Sequence, residues 1–275
     1  MARSKSRLNR ALGVFCLADG CIEETLRNWY QDFRNPDSSP VKAVIRLFGK
    51  THPEAIFIQI GANDGMALDP LRTQVVCRRW KGVMVEPVPY VFERLRQRYV
   101  NHPRITLVNA AIADQEAMLP FYSLGELKPG EEVWGWYHAL GSFRKDVVLK
   151  HQYLIPDIEK RIEEIQVRSM RFETLCAQTG ITQIDLLQID TEGYDYEIIR
   201  RIPFAQFKPK LIVYEHQHLS PEDRKACRDL LHQQGYLSFE SGIDTAALHD
   251  QSTNSQDSAL KDIFLQRSGN RSTQP

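Results

Sequence analysis

The stretch Phe57-Ile58-Gln59-Ile60-Gly61-Ala62-Asn63-Asp64-Gly65 decides how the rest of the chain is read. Its first four residues belong to a short β-rich run that begins at Ala55, and Gly61 ends it. Glycines where a strand hands over to a helix let the backbone turn tightly and let a ligand approach closely. Free N–H groups at the helix start favour negative or hydrogen-bonding ligand atoms. Outward from this turn the alternation continues. A helical stretch is expected to about Lys81, then a strand at Val83-Met84-Val85-Glu86. A helix from Tyr90 to Tyr99 follows, with Arg94, Arg96 and Arg98 on its outer face, and then a strand from Ile105 to Ile112. The pattern recurs as Ile184 to Asp190, a helix through Ile198 and Ile199, and Leu211-Ile212-Val213-Tyr214-Glu215. Strands that are apolar almost throughout, separated by helices, predict a parallel sheet covered on both faces.

Residues 1–50 read as an N-terminal extension of two helical pieces, broken at Asn35-Pro36-Asp37-Ser38-Ser39-Pro40. Residues 51–267 form the main domain, in which 118–165 interrupt the alternation. That insertion carries Trp134, Trp136, Tyr137 and His138 in a glycine-flanked loop, then a helical stretch from about Ser142 to Leu154, and reads equally as a cover over the ligand crevice or as an aromatic-anchored structural loop. Ser220-Pro221-Glu222-Asp223 opens a helix that runs to about Gln234, with a serine cap, proline at the first position and acid in the first turn. Tyr236–Phe239 and Ile263–Gln266 are expected to pair antiparallel and close the sheet, with Asp250 to Ser258 as a surface loop. Residues 268–275 read as a disordered tail.

Composition narrows the function. With 42% hydrophobic residues in 275, the chain has ample material for a core and is not mainly disordered. Lys plus Arg is 35 and Asp plus Glu is 35, so no global charge draws it to nucleic acid, and the three arginines after Tyr90 read as a solvated face. Five cysteines without regular spacing read as reduced thiols in a cytoplasm. Arg3, Lys5, Arg7 and Arg10 before the apolar run Ala11–Ala18 have a signal peptide's outline. Asp19 spoils the cleavage site, and an amphipathic helix is the better reading. No run of ~18 apolar residues occurs, so no membrane span is expected.

Glu86 stands about 20 residues past the glycines, where a carboxylate meets the ribose diol in nucleotide-binding βαβ units. That fits nicotinamide and other adenosine cofactors alike. Gly61 and Gly65 lack the G-x-G-x-x-G spacing, so no diphosphate cradle is apparent. Small residues at Asn109-Ala110-Ala111 leave room for a flat adenine ring. Asp190-Thr191-Glu192-Gly193 and Glu215-His216-Gln217-His218 end the fourth and fifth strands, and in an open parallel sheet such ends face one crevice. These acids and histidines are also able to ligate a divalent metal, but no tight spacing demands one, and none is expected.

Together these pieces resemble the FkbM family of S-adenosylmethionine-dependent methyltransferases, over roughly Ala55 to Gln266. The resemblance implies an α/β, Rossmann-like class I methyltransferase fold with a mostly parallel seven-stranded sheet and helices on both faces. It also implies O-methylation of a hydroxyl on a sugar or polyketide-type small molecule. By matching position, Gln59, Gly61, Ala62, Asn63, Asp64 and Gly65 would hold the methionine part of the cofactor and Glu86 the ribose. Asn109 and Ala111 would border the adenine, and Asp190 would face the ammonium and sulfonium. His216 or His218 is expected as base, with Asp190, Glu192 and Glu215 positioning it, and Trp134, Trp136 and Tyr137 would suit a sugar face. Two departures stand out: Gln59 where related enzymes often carry an acid, and Gln188 where the family frequently has lysine. A nicotinamide-dependent oxidoreductase and a non-catalytic S-adenosylmethionine-binding module remain as alternatives. The expected partner is a small-molecule acceptor, with neither nucleic acid nor membrane.

Overall fold

The computed structural model describes residues 39–66, 69–127, 137–155, 157–250 and 257–269. The basic and apolar run near the N-terminus, and Trp134 and Trp136, lie outside the described residues. The first half runs α1 (Pro40–Thr51), β1 (Ile56–Ile60), α2 (Arg72–Cys77), β2 (Lys81–Val85), α3 (Pro89–Tyr99), β3 (Ile105–Val108) and β4 (Ala111–Ile112). A lobe follows, with β5 (Met118–Leu124), β6 (Gly141–Ser142), α4 (Lys145–Leu149), a 3-10 turn at Lys150–Tyr153, α5 (Ile158–Arg161) and β7 (Ile162–Met170). The rest is α6 (Phe172–Thr179), β8 (Leu186–Ile189), α7 (Asp195–Ile199), β9 (Leu211–Glu215), α8 (Pro221–Gln233), β10 (Tyr236–Ser241), β11 (Asp244–His249) and α9 (Ser258–Gly269).

Seven strands make the main sheet in the order β10-β11-β9-β8-β1-β2-β3. Five neighbours from β3 to β9 are parallel, and β11 runs antiparallel between β9 and β10. Successive strand side chains point to opposite faces, and both faces are buried. Ile58, Ile60, Val83, Val85, Leu187 and Ile189 join one core cluster, while Phe57, Met84, Leu186, Leu211 and Val213 join the other. Helix α1 belongs to the second cluster. Ser39 caps it, its side chain accepting from Lys42 N, and Val41, Val44, Ile45 and Phe48 form the helical stripe it buries.

Strand order reverses between β1 and β8, which leaves a crevice at their carboxyl ends. The register levels those ends: Ile60 pairs with both Val85 and Ile189, and Ile189 with Tyr214. One residue further on, Gly61, Glu86, Asp190 and Glu215 therefore stand side by side along the rim.

Several boundaries differ from the sequence reading. The expected 105–112 strand splits, because at Asn109-Ala110 the chain leaves the main sheet and β4 pairs with β7 instead. Residues 118–165 are not a loop and helix alone; β5 and β7 pair antiparallel over seven registers and build, with β4 and β6, a second sheet of order β4-β7-β5-β6. Ile263–Gln266 is helical, not a strand. Leu260 and Phe264, four apart, bury in α9 against the sheet, with Phe264 and Phe239 ring centres 5.0 Å apart. The strand beside β10 is β11, reached through a tight turn in which Gly242 has φ +61. Ser268 lies within α9, its Oγ donating to Ser238 O at 3.0 Å.

Helix α8 starts as expected, with Ser220 Oγ accepting from Asp223 N at 3.0 Å. Ser220→Ala should cost about 1 kcal/mol through loss of this cap, read as a Tm lowered by a few degrees in calorimetry; an unchanged Tm would mean the cap is not stabilising.

Candidate functional site

The crevice between the β1 and β8 ends opens into a cleft lined by both strand ends and the lobe. Its floor is built by the glycine turn. Gly61 and Ala62 donate their N–H groups to Val85 O at 3.0 and 2.9 Å, tying the end of β1 over β2. Gly61 has φ +78, and a Cβ there would lie 1.7 Å from Asp190 O, so only glycine lets the tips of β1 and β8 touch. Asn63, also at positive φ, donates its N–H to Glu86 Oε2 at 2.9 Å, and Val88 N–H donates to Oε1 at 2.8 Å. Glu86 is thereby fixed at the cleft edge with one lone pair of each oxygen still to offer. Burial pushes its carboxyl up to about 7, against the pull of those two N–H bonds.

Acids dominate this end of the sheet. Asp190 lines the cleft with its side chain accessible; the protein crowded around it, then the carboxylates of Glu192, Asp195 and Asp244, raise its carboxyl above the usual range. Burial, then Asp190 and Glu192, does the same to Glu215. Asp195 is fully buried and pushed up to about 7 by that burial, although Thr191 Oγ1 donates to it at 2.9 Å. Among the described residues lining the cleft there is no lysine or arginine. Besides Glu192 Oε2, which faces His218 Nε2 at 3.1 Å, five buried oxygens of the described cleft lining have no hydrogen-bond partner: Gln59 Oε1, Asn63 Oδ1, Asp69 Oδ2, Gln188 Oε1 and Glu215 Oε2. Each unmet buried acceptor costs ~1–3 kcal/mol, so the cleft is fitted to a ligand that donates hydrogen bonds and carries positive charge.

The turn after β8 is strained. Glu192 has φ +52 and Gly193 φ +93, a conformation that costs a non-glycine residue ~1–3 kcal/mol. Ser142 Oγ holds it by donating to Glu192 O at 2.8 Å. Glu192 reaches the cleft wall, and behind it His218 Nε2 lies 3.1 Å from Glu192 Oε2 and 3.8 Å from Glu215 Oε1.

Of the residues expected from sequence, Gln59, Gly61, Ala62, Asn63, Glu86, Ala111, Asp190, Glu192 and Glu215 all line the cleft. The other described ones stand behind it. Asp64 pairs with Arg98 at 2.5 Å and accepts from Met66 N, bracing the turn. Gly65 lies where a Cβ would meet Leu95 and Tyr99 at 2.6 Å, so it serves the packing of α3. Asn109 Nδ2 donates to Glu86 O and Pro87 O, clamping the end of β2. His216 is turned into the protein, with Nδ1 2.8 Å from Thr245 Oγ1; burial, and then Arg224, lowers its pKa. Tyr137 is buried in the core of the lobe, and its neighbour His138 faces the cleft instead.

Sequence reading missed Asp69, Phe121, Phe143, Tyr194 and Ile243, which also line the cleft. Phe143 and Tyr194 meet with ring centres 4.9 Å apart, an apolar wall contributed half by the lobe and half by the segment after β8. The aromatic content of the lobe was the available signal; which rings turn inward depends on β5–β7 pairing that no short motif encodes.

Comparison with known proteins points to one family. The sequence matches the family described as "Methyltransferase FkbM domain" over residues 59–238. It is 25% identical over 188 residues to 2-O-methyltransferase NoeI of Sinorhizobium fredii (strain NBRC 101917 / NGR234), covering 65% of this chain and 70% of that protein. Among solved structures, methyltransferase FkbM from Methylobacillus flagellatus KT aligns with a TM-score of 0.45 and 11% identity, over 71% of this chain. The chain spans only 44% of that protein. Aeropyrum pernix fibrillarin, solved with natively bound S-adenosyl-L-methionine, aligns at a TM-score of 0.39 and 11% identity over 75% of this chain and 73% of its own. With its seven-stranded, doubly wound sheet and a family match over well more than half its length, the chain belongs to the FkbM methyltransferase family.

Proposed function

We propose that the protein is an S-adenosylmethionine-dependent O-methyltransferase acting on a hydroxyl of a neutral small molecule, of sugar or polyketide type. The observation that carries this reading is the set of partnerless acceptors beside Glu86 in one acid-lined cleft. A cofactor bearing an ammonium, a sulfonium and a ribose diol supplies donors and positive charge to this cleft. Gln59, Asp69 and Gln188 accept from the ammonium, Glu86 from the diol, and Ala110 and Ala111 leave a flat slot for the adenine. When bound, S-adenosylmethionine supplies a methyl group that passes to the acceptor oxygen as its bond to sulfur breaks. The chain's own work is alignment of that oxygen and removal of its proton. Phe121, Phe143 and Tyr194 give the acceptor an amphipathic wall, and Glu192 is the acid at that wall, backed by His218. Glu192 receives the proton and His218 acts through it as a positioning residue. The 2-O-methyltransferase activity in the name of NoeI is in keeping with an oxygen acceptor. Membership of a methyltransferase family speaks against the nicotinamide-dependent alternative.

The test is transfer of an isotopically labelled methyl from S-adenosylmethionine to a panel of glycans and macrolide-type alcohols, with the product identified by mass spectrometry. A methyl ether is expected; label on nitrogen, or binding without turnover over the whole panel, would refute O-methylation. The cofactor step has its own pH signature. Diol recognition needs the Glu86 carboxylate, which gains a proton as pH falls through about 7. Apparent affinity for S-adenosylmethionine should therefore drop about tenfold from pH 8 to pH 6. Calorimetry at both values checks this, and a constant Kd would remove Glu86 from the cofactor site.

A further inference from the structure

Behind the cleft wall, ligating groups from three separate segments meet. His151 comes from the 3-10 turn of the lobe, Glu192 from the turn after β8, and His218 from the loop after β9. One donor atom of each lies within 4.8 Å of the other two. The two imidazole centres are 5.4 Å apart, and His218 Nε2 already sits 3.1 Å from Glu192 Oε2. Ligands bound tetrahedrally to one ion at ~2.0–2.1 Å stand ~3.3 Å from each other. That contact is thus at ligand spacing, and a ring nitrogen of His151 lies within 4.8 Å of both. Both histidines are buried and Glu192 is half-buried, so this is no solvated surface cluster. The fold presses the segments together at Gly193, where a Cβ would lie 3.3 Å from His218 and 3.4 Å from Val147, four residues before His151.

We propose that His151, Glu192 and His218 bind one divalent transition-metal ion at the cleft wall. Two imidazoles and a carboxylate suit zinc, manganese or ferrous iron, whereas magnesium and calcium prefer all-oxygen sets. Three protein ligands leave a coordination position open, as in catalytic rather than structural metal sites. Glu192 is the ligand that borders the cleft, so the open position faces the acceptor. A hydroxyl coordinated there loses its proton to water more readily, and its oxygen is then the nucleophile for the methyl group. With the ion in place, Glu192 serves as its ligand and the ion takes over activation of the hydroxyl. The ion's role rests on the methyl-transfer reading; the site does not.

The test uses the full chain stripped with chelator and titrated with Co²⁺ and Zn²⁺ by calorimetry and, for cobalt, by visible absorption. One ion per chain is expected, with d–d bands of an imidazole-ligated cobalt centre. His151→Ala and His151→Asn should each weaken binding at least ~10-fold, since even losing an outer-sphere partner costs ~10–100-fold. S-adenosylmethionine is titrated into the same samples, and its affinity should be unchanged by either variant. Absence of stoichiometric binding to wild type, equal binding in both His151 variants, or binding of Mg²⁺ alone would each overturn the site. Cofactor binding without metal binding sinks only the ion, and metal binding without cofactor binding sinks only the methyl-transfer reading.

Discussion

Glu192→Gln is expected to lower kcat by ~10²–10⁴-fold while changing the Kd for S-adenosylmethionine less than about threefold. The size follows from what a positioned proton acceptor contributes to a transfer step. Glutamine keeps the shape of the side chain and its contact with the cleft, so cofactor binding has no reason to change. It does remove the negative charge that sits 3.1 Å from His218 and that gives the acceptor's proton a destination. In the metal-free chain His218→Asn should cost less, because there His218 acts through Glu192; with the ion bound it removes a ligand. Steady-state kinetics with an acceptor found in the transfer assay, beside calorimetry with the cofactor, separates the two effects. Equal loss of cofactor affinity and turnover in Glu192→Gln would make Glu192 a structural residue.

Glu86→Ala should raise the Kd for S-adenosylmethionine by at least ~10²-fold. Two hydrogen bonds from a diol to one carboxylate, at ~1.5–3 kcal/mol each, account for that factor. The same substitution strips the acceptor from Asn63 N–H and Val88 N–H, so the protein also loses stability. Glu86→Gln guards against confusing the two: it retains one acceptor oxygen, and should fold better while still binding the cofactor weakly. If Glu86→Gln binds as tightly as wild type, the ribose lies elsewhere.

The fold was largely legible because its signal is local. Strands as apolar as Ile56–Ile60 and Leu186–Ile189, each ending in a glycine-bearing turn, state a parallel, doubly covered sheet in their own residues. The cofactor half of the site followed, since strand ends in an open sheet are placed by the sheet itself. Two kinds of feature were not legible. Ile263–Gln266 looks strand-like in four residues and becomes helical only when Leu260 and Phe264 are seen burying together against Phe239. His151 carries no motif at all, and it reaches His218 only because the lobe folds back over the carboxyl ends of β8 and β9.

Gln59 and Gln188 are direct partners across the β1–β8 pair, both buried, on the same face. Two amides face each other there, and since a lone charge at so buried a place would be costly, the pair stays neutral. Gln59 Nε2 donates to Asp69 Oδ1 at 3.0 Å, which leaves Asp69 to bring the negative charge that position 59 lacks. Burial raises the Asp69 carboxyl above its ordinary range, and a cationic ligand beside it would restore the ionised form.

The most direct measurement is calorimetric titration of S-adenosylmethionine into the full chain at pH 8. One site per chain with micromolar affinity, lost in Glu86→Ala and kept in Ser220→Ala, is the expected outcome. A folded wild-type chain that takes up no S-adenosylmethionine would mean that the acid-lined cleft serves some other cation, and that methyl transfer is not its chemistry.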